Sequence, residues 1–273
     1  DGICDSSYVI DSSTDYLPLV KLPDTDGDGI IDLRDNCPIV PNADQADSDT
    51  DAISYWRLDE GNGTTAYDSI DDNDGTIHGA TWINGKVGHA LHFDGIDDYV
   101  DITTFIQPIS NAVTVEAWIK HDSLPPLIQR YVSLDGGTAV IRHAGNGQLH
   151  FYIRIVGSED FYHLTNDSIL TTDTWYHVVG TYDGATQKLY LNGELINSAP
   201  VNGTLNKFTD HVWISSPDEP MNGTIDEVAI YDRALTQEEI QEHYLRGLNE
   251  YGYSGDGVGD ACDNCWYVLN PDQ

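Results

Sequence analysis

Residues 24–35 read Asp-Thr-Asp-Gly-Asp-Gly-Ile-Ile-Asp-Leu-Arg-Asp. With Asp24 as position 1, carboxylates fall at positions 1, 3, 5, 9 and 12 (Asp24, Asp26, Asp28, Asp32, Asp35), and Gly29 stands at position 6. This is the spacing of a calcium loop: glycine allows the sharp turn, Ile30 at position 7 offers its carbonyl, and the alternate acids converge on the ion. Asp35 replaces the usual Glu at position 12, so its shorter arm requires a closer approach of the chain. Without a cation, five converging carboxylates would repel by a few kcal/mol per pair even at a moderate dielectric.

A second loop emerges when two distant stretches are read together. Asp47, Asp49 and Asp51 begin the same pattern, which the chain leaves at Ala52. Residues 256–263, Asp-Gly-Val-Gly-Asp-Ala-Cys-Asp, resume it. Joined, they give Asp47, Asp49, Asp51 or Asp256, Gly257, the Val258 carbonyl, Asp260 and Asp263. Everything between is then expected to be inserted within a calcium loop, which requires the two ends of the insert to lie close together.

These flanks carry a resemblance. Asp35-Asn36-Cys37-Pro38, Pro41-Asn42-Ala43-Asp44-Gln45, Asp47-Ser48-Asp49 and Gly257-Val258-Gly259-Asp260-Ala261-Cys262-Asp263-Asn264-Cys265 are similar to thrombospondin type 3 repeats. Asn270-Pro271-Asp272-Gln273 resembles the opening of another unit, whereas Asp1-Gly2-Ile3-Cys4-Asp5 departs from the pattern. The resemblance implies segments with almost no apolar core, wrapped around several calcium ions, and a disulfide between Cys37 and Cys262. Cys4 and Cys265 are left over. A zinc reading of Cys262 and Cys265 lacks a second Cys or His pair at suitable spacing.

Charge follows the same division. The chain has 273 residues and 12 Lys plus Arg against 46 Asp plus Glu, a formal charge of −34. Such a balance excludes a nucleic-acid backbone as partner and disfavours an anionic membrane surface. Residues 1–51 hold 13 Asp and no Glu. All four cysteines lie in 1–51 and 252–273, while 52–251 has five of the six tryptophans. We therefore expect a calcium-binding segment at 1–51, a globular domain at 52–251, and the segment's continuation at 252–273. Acidic cysteine-bearing flanks point to an oxidising extracellular setting. No apolar stretch is long enough to span a bilayer, and no basic leader opens the chain, so any signal peptide is expected to have been removed. Sequons at Asn62, Asn166, Asn202 and Asn222 fit an exposed secreted domain.

The elements of the insert show period two. Val113 to Ile119, Leu149 to Ile155 and Trp175 to Val179 alternate apolar and polar residues. Asp183-Gly184 and Asn192-Gly193 are hairpin signals around a strand at Lys188 to Leu191. Many short strands with Gly and Asp turns predict an all-β antiparallel sandwich. One helix is expected near the end, capped by Thr236 and Glu239, with Ile240, Tyr244, Leu245 and Leu248 as its apolar stripe. Trp56-Arg-Leu58-Asp59-Glu60, Gly88-His-Ala90-Leu91-His-Phe93-Asp94-Gly95, Val115-Glu116-Ala117-Trp118 and Gly223-Thr-Ile225-Asp226-Glu227-Val228 are similar to laminin G-like, concanavalin A-like jelly rolls. That resemblance implies two curved sheets with neighbouring chain ends and a structural calcium, for which Asp59, Asp94 and Asp226 are the candidate ligands.

No catalytic constellation is legible. Glucanases on this superfold place carboxylates at alternate positions of one strand, and no strand here has that spacing. Asp226 and Glu227 are adjacent, which puts their side chains on opposite faces. His150, His163 and His177 read as strand surface residues. Two non-catalytic functions stay open. One is a calcium-stiffened adhesion or fibre subunit whose ends are completed head-to-tail by other copies, with Cys265 bonded to Cys4 of the next; a longer parent array would explain the same ends. The other is a lectin-like module recognising glycans, for which Trp118, Tyr131, Tyr152, Tyr162 and Trp213 are candidate platforms.

Overall fold

Along β7 (Val113–His121) the alternation resolves into two faces. Val115, Ala117 and Ile119 enter the core, while Thr114, Glu116 and Trp118 turn away from it. β7 lies in the middle of a sheet with β12 (Trp175–Tyr182), β13 (Thr186–Leu191) and β14 (Glu194–Pro200) on one side. On the other side stands β16 (Asn222–Tyr231), followed by β5 (His89–Asp94) and β4 (Thr81–Asn84), with β1 (Ser54–Trp56) also paired to β16. The second sheet runs in the order β11 (Phe161–Asn166), β10 (Leu149–Arg154), β9 (Ala139–Ala144), β8 (Ile128–Leu134), β15 (Val212–Ser215), β6 (Tyr99–Ile102), β3 (Gly75–His78) and β2 (Thr65–Ala66). Every strand pairing is antiparallel. This computed structural model describes residues 52–248, apart from 104, 106–110, 135–137, 146, 159–160, 167–169 and 207–210. The described residues belong to one unit, Asp49–Gly252.

The two sheets bury one apolar core, including Trp56, Phe93, Ile119, Phe151, Val178 and Ile230. Each such side chain contributes about 1.5–3 kcal/mol through burial. The expected jelly-roll sandwich is therefore the fold of these residues. The turn signals also hold: Asn192 and Gly193, with φ of 52° and 79°, link β13 to β14 as a two-residue hairpin turn. The strand before it is longer than its sequence signal, starting at Thr186.

The expected helix is α1 (Gln237–Leu248). Thr236 and Glu239 form its reciprocal cap: the Thr236 amide donates to Glu239 Oε2 at 2.6 Å, and the Glu239 amide donates to Thr236 Oγ1 at 3.2 Å. Its buried face is Ile240, Glu242, His243 and Gly247, whereas Leu248 is exposed. The apolar stripe read from sequence is thus displaced. The sheet face that receives α1 carries Glu116, His177 and Trp118, so an imidazole and a glycine fit there better than two leucines.

β16 departs from strict alternation. Its register against β7 slips between Asp226 and Ala229, inserting one extra residue, and Glu227 takes a φ of 49°. The bulge marks where β16 exchanges one neighbour for another, β5 along Asn222 to Ile225 and β1 along Val228 to Ile230.

The calcium-loop positions Asp24, Asp26, Asp28, Ile30, Asp32, Asp35, Asp47, Asp49, Asp51, Asp256, Val258, Asp260 and Asp263 lie outside the described residues, as do Cys4, Cys37, Cys262 and Cys265. The thrombospondin-like motifs, and the junctions that would close the split loop, lie there too.

Candidate functional site

The outward positions of the second sheet fall into one row of cross-strand neighbours. His163 stands opposite Tyr152, Tyr152 opposite Val140, Val140 opposite Ser133, and Ser133 opposite Trp213. Trp213 then stands opposite Asp101, and Asp101 opposite Thr76. Residues directly opposite in antiparallel strands share a face. Leu149, Phe151 and Ile153 of β10 enter the core, which sends His150, Tyr152 and Arg154 to the other side. With strands about 4.8 Å apart, Trp213 and Tyr152 are separated by roughly 14 Å across the sheet.

Aromatic rings and guanidinium groups interleave at the β8–β11 end. The Tyr152 and Phe161 rings meet edge to face at 5.2 Å between centroids, and Tyr152 meets the His163 ring at the same distance. The Arg142 guanidinium lies 4.7 Å from the Tyr152 ring centre and that of Arg154 lies 5.4 Å from the Phe161 ring centre. Arg130 stands directly opposite Arg142. Glu219, from the loop between β15 and β16, serves both: its Oε2 is 2.5 Å from Arg130 Nε and 3.8 Å from Arg142 Nη1. Partial burial, and then the Arg142 charge, lower the pKa of His163. Further along, His211 packs on Trp213 at 5.7 Å and its Nδ1 lies 3.1 Å from Asp101 Oδ1. His78 stacks on Tyr99 at 4.5 Å. The face combines apolar ring surface with fixed hydrogen-bonding groups, the pairing that recognises a saccharide's C–H faces and hydroxyls.

Of the five aromatic candidates read from sequence, Tyr152 and Trp213 stand on this face, Tyr152 only 4% exposed among Arg142, Phe161 and His163. Trp118 is 3% exposed beneath α1, in contact with Tyr244 and close to the Lys86 ammonium. Tyr131 is fully buried between the sheets. Tyr162 pairs with the inward-facing Ile153, on the opposite side of β11 from His163. Phe161 (41% exposed), Arg130, Arg142, Arg154 and Glu219 escaped the sequence reading. The alternation of β10 was the signal for Arg154, since His150, Tyr152 and Arg154 share the phase opposite to its apolar residues.

Two further polar clusters lie inside the fold. Glu116, on the face beneath α1, accepts from Tyr231 at 3.0 Å and lies 3.0 Å from His243 Nδ1 and 3.4 Å from His177 Nε2. Burial alone would raise its pKa, but His243 and His177 outweigh burial and hold the carboxyl well below the usual range. His177 is consequently a buried partner of Glu116, not a strand surface residue. The second cluster lies between the sheets, where His121 Nε2 is 2.8 Å from the Tyr131 hydroxyl and the His121 and His143 rings are 5.3 Å apart. Burial first, and then His143, push the His121 pKa down to about 3.

Of the three acids nominated for a structural calcium, Asp226 and Asp59 converge on the turn between β4 and β5, whereas Asp94 stands apart. Asp226 Oδ2 accepts the Lys86 and Val87 amides at 2.8 and 3.0 Å, and Oδ1 accepts the Glu227 amide at 3.0 Å. Burial, and then Glu227, raise its pKa well above the ordinary value. Asp59 caps the same turn through the His89 amide at 2.7 Å. Asp94 stands on the β5–β6 turn, where a carboxylate oxygen from each of Asp94, Asp97 and Asp98 lies within 4.8 Å of the others. Asp94 Oδ1 there accepts the Ile96 amide at 2.8 Å. Each nominated acid thus holds backbone amides of a turn, and Asp226 has most of its lone pairs engaged.

Known proteins share this architecture. Domain 4 of an extracellular arabinanase from Geobacillus stearothermophilus, solved in complex with arabinotriose, superposes with a TM-score of 0.59 at 20% identity, over 70% of this chain and 97% of that one. A Trypanosoma rangeli sialidase in complex with sialic acid gives 0.56 at 19% identity, over 76% of this chain and 33% of the sialidase. The binding domain of botulinum neurotoxin serotype D gives 0.59 at 17%, over 73% of this chain and 53% of that one. The chain therefore spans only a third to a half of the latter two, and at these identities the likeness is one of fold. A search of curated proteins gives no match. A family model described as the concanavalin A-like lectin/glucanases superfamily matches residues 94–241, more than half of the chain, from the turn after β5 into α1. With two antiparallel sheets around one core and a match of that extent, the chain belongs to the concanavalin A-like lectin/glucanases superfamily.

Proposed function

We propose that the sandwich is a glycan-binding module and that the outer face of its second sheet is the binding surface. The observation that carries this reading is the row from His163 through Tyr152 and Trp213 to Asp101, which crosses six of the sheet's strands and offers His163, Trp213 and the neighbouring Phe161 as its accessible rings. Its length suits an oligosaccharide better than a single sugar. The helix of the described residues covers the other sheet and leaves this face without a helical cover. The similar arabinanase domain, solved in complex with arabinotriose, adds support for a sandwich of this fold as a binder of oligosaccharides.

The reading is binding without turnover. The cluster of Glu116 with His177 and His243 is buried beneath α1 and does not reach the proposed surface. A glycan array with the intact protein tests the proposal. Retention of oligosaccharides, lost by tenfold or more on Phe161→Ala combined with Trp213→Ala while the thermal transition is kept, is the expected result. Retention unchanged by the double variant would move the site elsewhere, and release of reducing sugar from a retained oligosaccharide would make the protein an enzyme.

The flanks belong to the same proposal as calcium-holding supports in an extracellular setting. The spacing of Asp24 to Asp35 supports this, because binding there would cancel charge in the most acidic part of a −34 chain. Calcium-loaded flanks could also join copies head-to-tail. Sedimentation in millimolar calcium, with and without chelator, tests it: large species that collapse on chelation are expected for a fibre, and a monomer in both conditions leaves a glycan-binding module alone.

A further inference from the structure

Arg130, Arg142 and Arg154 are three of only 12 cationic side chains in the whole protein, yet they occupy one face of three consecutive strands, β8, β9 and β10. Arg130 and Arg142 are direct cross-strand partners, an arrangement that costs stability unless something of opposite charge joins them. Among the described residues one carboxylate, Glu219, does so, and it is nearer Arg130 than Arg142. The Arg142 Nε and the Ser133 Oγ are buried without a hydrogen-bond partner. Both belong to this face, and a buried donor left unpaired costs about 1–3 kcal/mol. Arg142 and Arg154 also lie over the Tyr152 and Phe161 rings. That contact fixes the planar forks that grip an oxyanion through two parallel hydrogen bonds.

We infer, building on the glycan-binding reading above, that the saccharide carries an isolated acidic group, a carboxylate or sulfate, seated on the Arg130–Arg142 pair, with Arg154 further along the same face. The rest of the saccharide then runs toward Trp213 and Asp101. Stacking and a carboxylate that accepts hydroxyl protons suit an uncharged sugar at that end, and Asp101 would repel a second acid. The protein's charge of −34 opposes a dense polyanion in the same way. At physiological salt the screening length is about 8 Å, so the arginine cluster is felt only by a group that has reached it. The ligand class is therefore a mainly neutral oligosaccharide with one acidic residue.

An array of neutral, singly carboxylated, singly sulfated and polysulfated oligosaccharides, with carboxyl-reduced copies of the carboxylated set, tests this on the intact protein in calcium. We expect retention of singly acidic probes, with the carboxylated and sulfated arms showing which oxyanion is preferred. Carboxyl reduction, or Arg154→Gln with Arg142→Gln, should lower affinity for the preferred acidic probes, the double variant by about tenfold or more. Glu219→Gln, which frees the two guanidinium groups it occupies, should instead tighten acidic probes several-fold and leave neutral ones unchanged. That gain cannot arise from a folding defect. Equal retention of acidic and neutral probes, insensitive to these variants, would overturn the acidic subsite and leave glycan binding standing. Preference for polysulfated chains would overturn the isolated-acid inference, and retention of nothing would overturn both.

Discussion

Gly180 stands on β12 where an added Cβ would lie 2.3 Å from the Phe151 ring of the opposite sheet. The two sheets approach through this contact, and Phe151 is fully buried. Gly180→Ala should therefore force repacking and cost about 1–3 kcal/mol, read as a lower urea midpoint at constant slope. His121 sets an acid limit. In the unfolded chain its imidazole takes up a proton below about 6.5, whereas in the fold it stays neutral to about 3. The unfolded state then holds the extra proton between these values. The contribution of His121 is complete above 6.5 and falls with pH, by about 1.4 kcal/mol per unit, until the folded value is reached. His143, lowered by burial, adds in the same direction. Glu116 ionises below the usual range in the fold, so its contribution fades only below the ordinary carboxylate pKa. Urea midpoints measured between pH 6.5 and 4.5 should decline less steeply in His121→Phe than in the parent protein. An identical slope would show that His121 is not the group responsible. At this scale the sequence named Tyr152 and Trp213 among five aromatics without telling them apart and hid the buried histidines, because an imidazole at an alternating position reads as surface until its partner on another strand is known.

Among the elements, α1 is held by contacts that its composition does not advertise. Gly247 lies against the Trp118 indole, where an added Cβ would meet ring atoms at 2.4 to 2.6 Å. Alanine would favour the helix by about 1 kcal/mol on propensity alone, but the indole is buried and packed against Tyr244. Gly247→Ala is accordingly expected to lower the melting temperature and shift Trp fluorescence to the red, and a raised melting temperature would show that the helix can ride over the ring. The cap of α1 was legible because Thr236 and Glu239 act locally, as was the β13–β14 turn at Asn192 and Gly193. The buried face of α1 was not, since Glu116 and His177, the groups that choose His243, come from strands some sixty residues apart in sequence. The β16 bulge escaped for a related reason. It arises where the strand's pairing passes from β5 to β1, and no pattern within residues 222–231 records which strands stand alongside.

For the molecule as a whole, acidic side chains are densest in the stretches outside the sandwich. Residues 1–51 and 252–273 contribute 17 of the 46 acids (13 and 4) and only two cations, Lys21 and Arg34. The sandwich core is apolar and lies between the sheets. Removing calcium should therefore act on the flanks first. In limited proteolysis with chelator, cleavage within 20–51 and 254–265 is expected to accelerate while 52–248 persists as a resistant fragment. Protection of 40–51 in chelator would contradict the calcium reading of the flanks. The sandwich was legible from period-two alternation, hairpin residues and composition. The proposed binding face was only partly so, because it depends on which outward positions of β8 to β11 become neighbours.

β16, the final strand of the described residues, stands inside the first sheet, with β7 along one side and β5 and then β1 along the other. A ribosome thus delivers last the strand that joins the sheet's separate parts. Before residue 231 has emerged, β1, the β4–β5 pair and the β7–β12–β13–β14 group have no shared neighbour in the sheet. A chain stopped before residue 222 should show no cooperative unfolding transition, whereas one ending after α1 should show a single sharp one. Pairings such as Ser54 with Ile230 span almost the whole domain, so folding is expected in milliseconds to seconds and only once synthesis of the sandwich is complete. Until then the nascent polypeptide depends on its own acidity to stay dispersed.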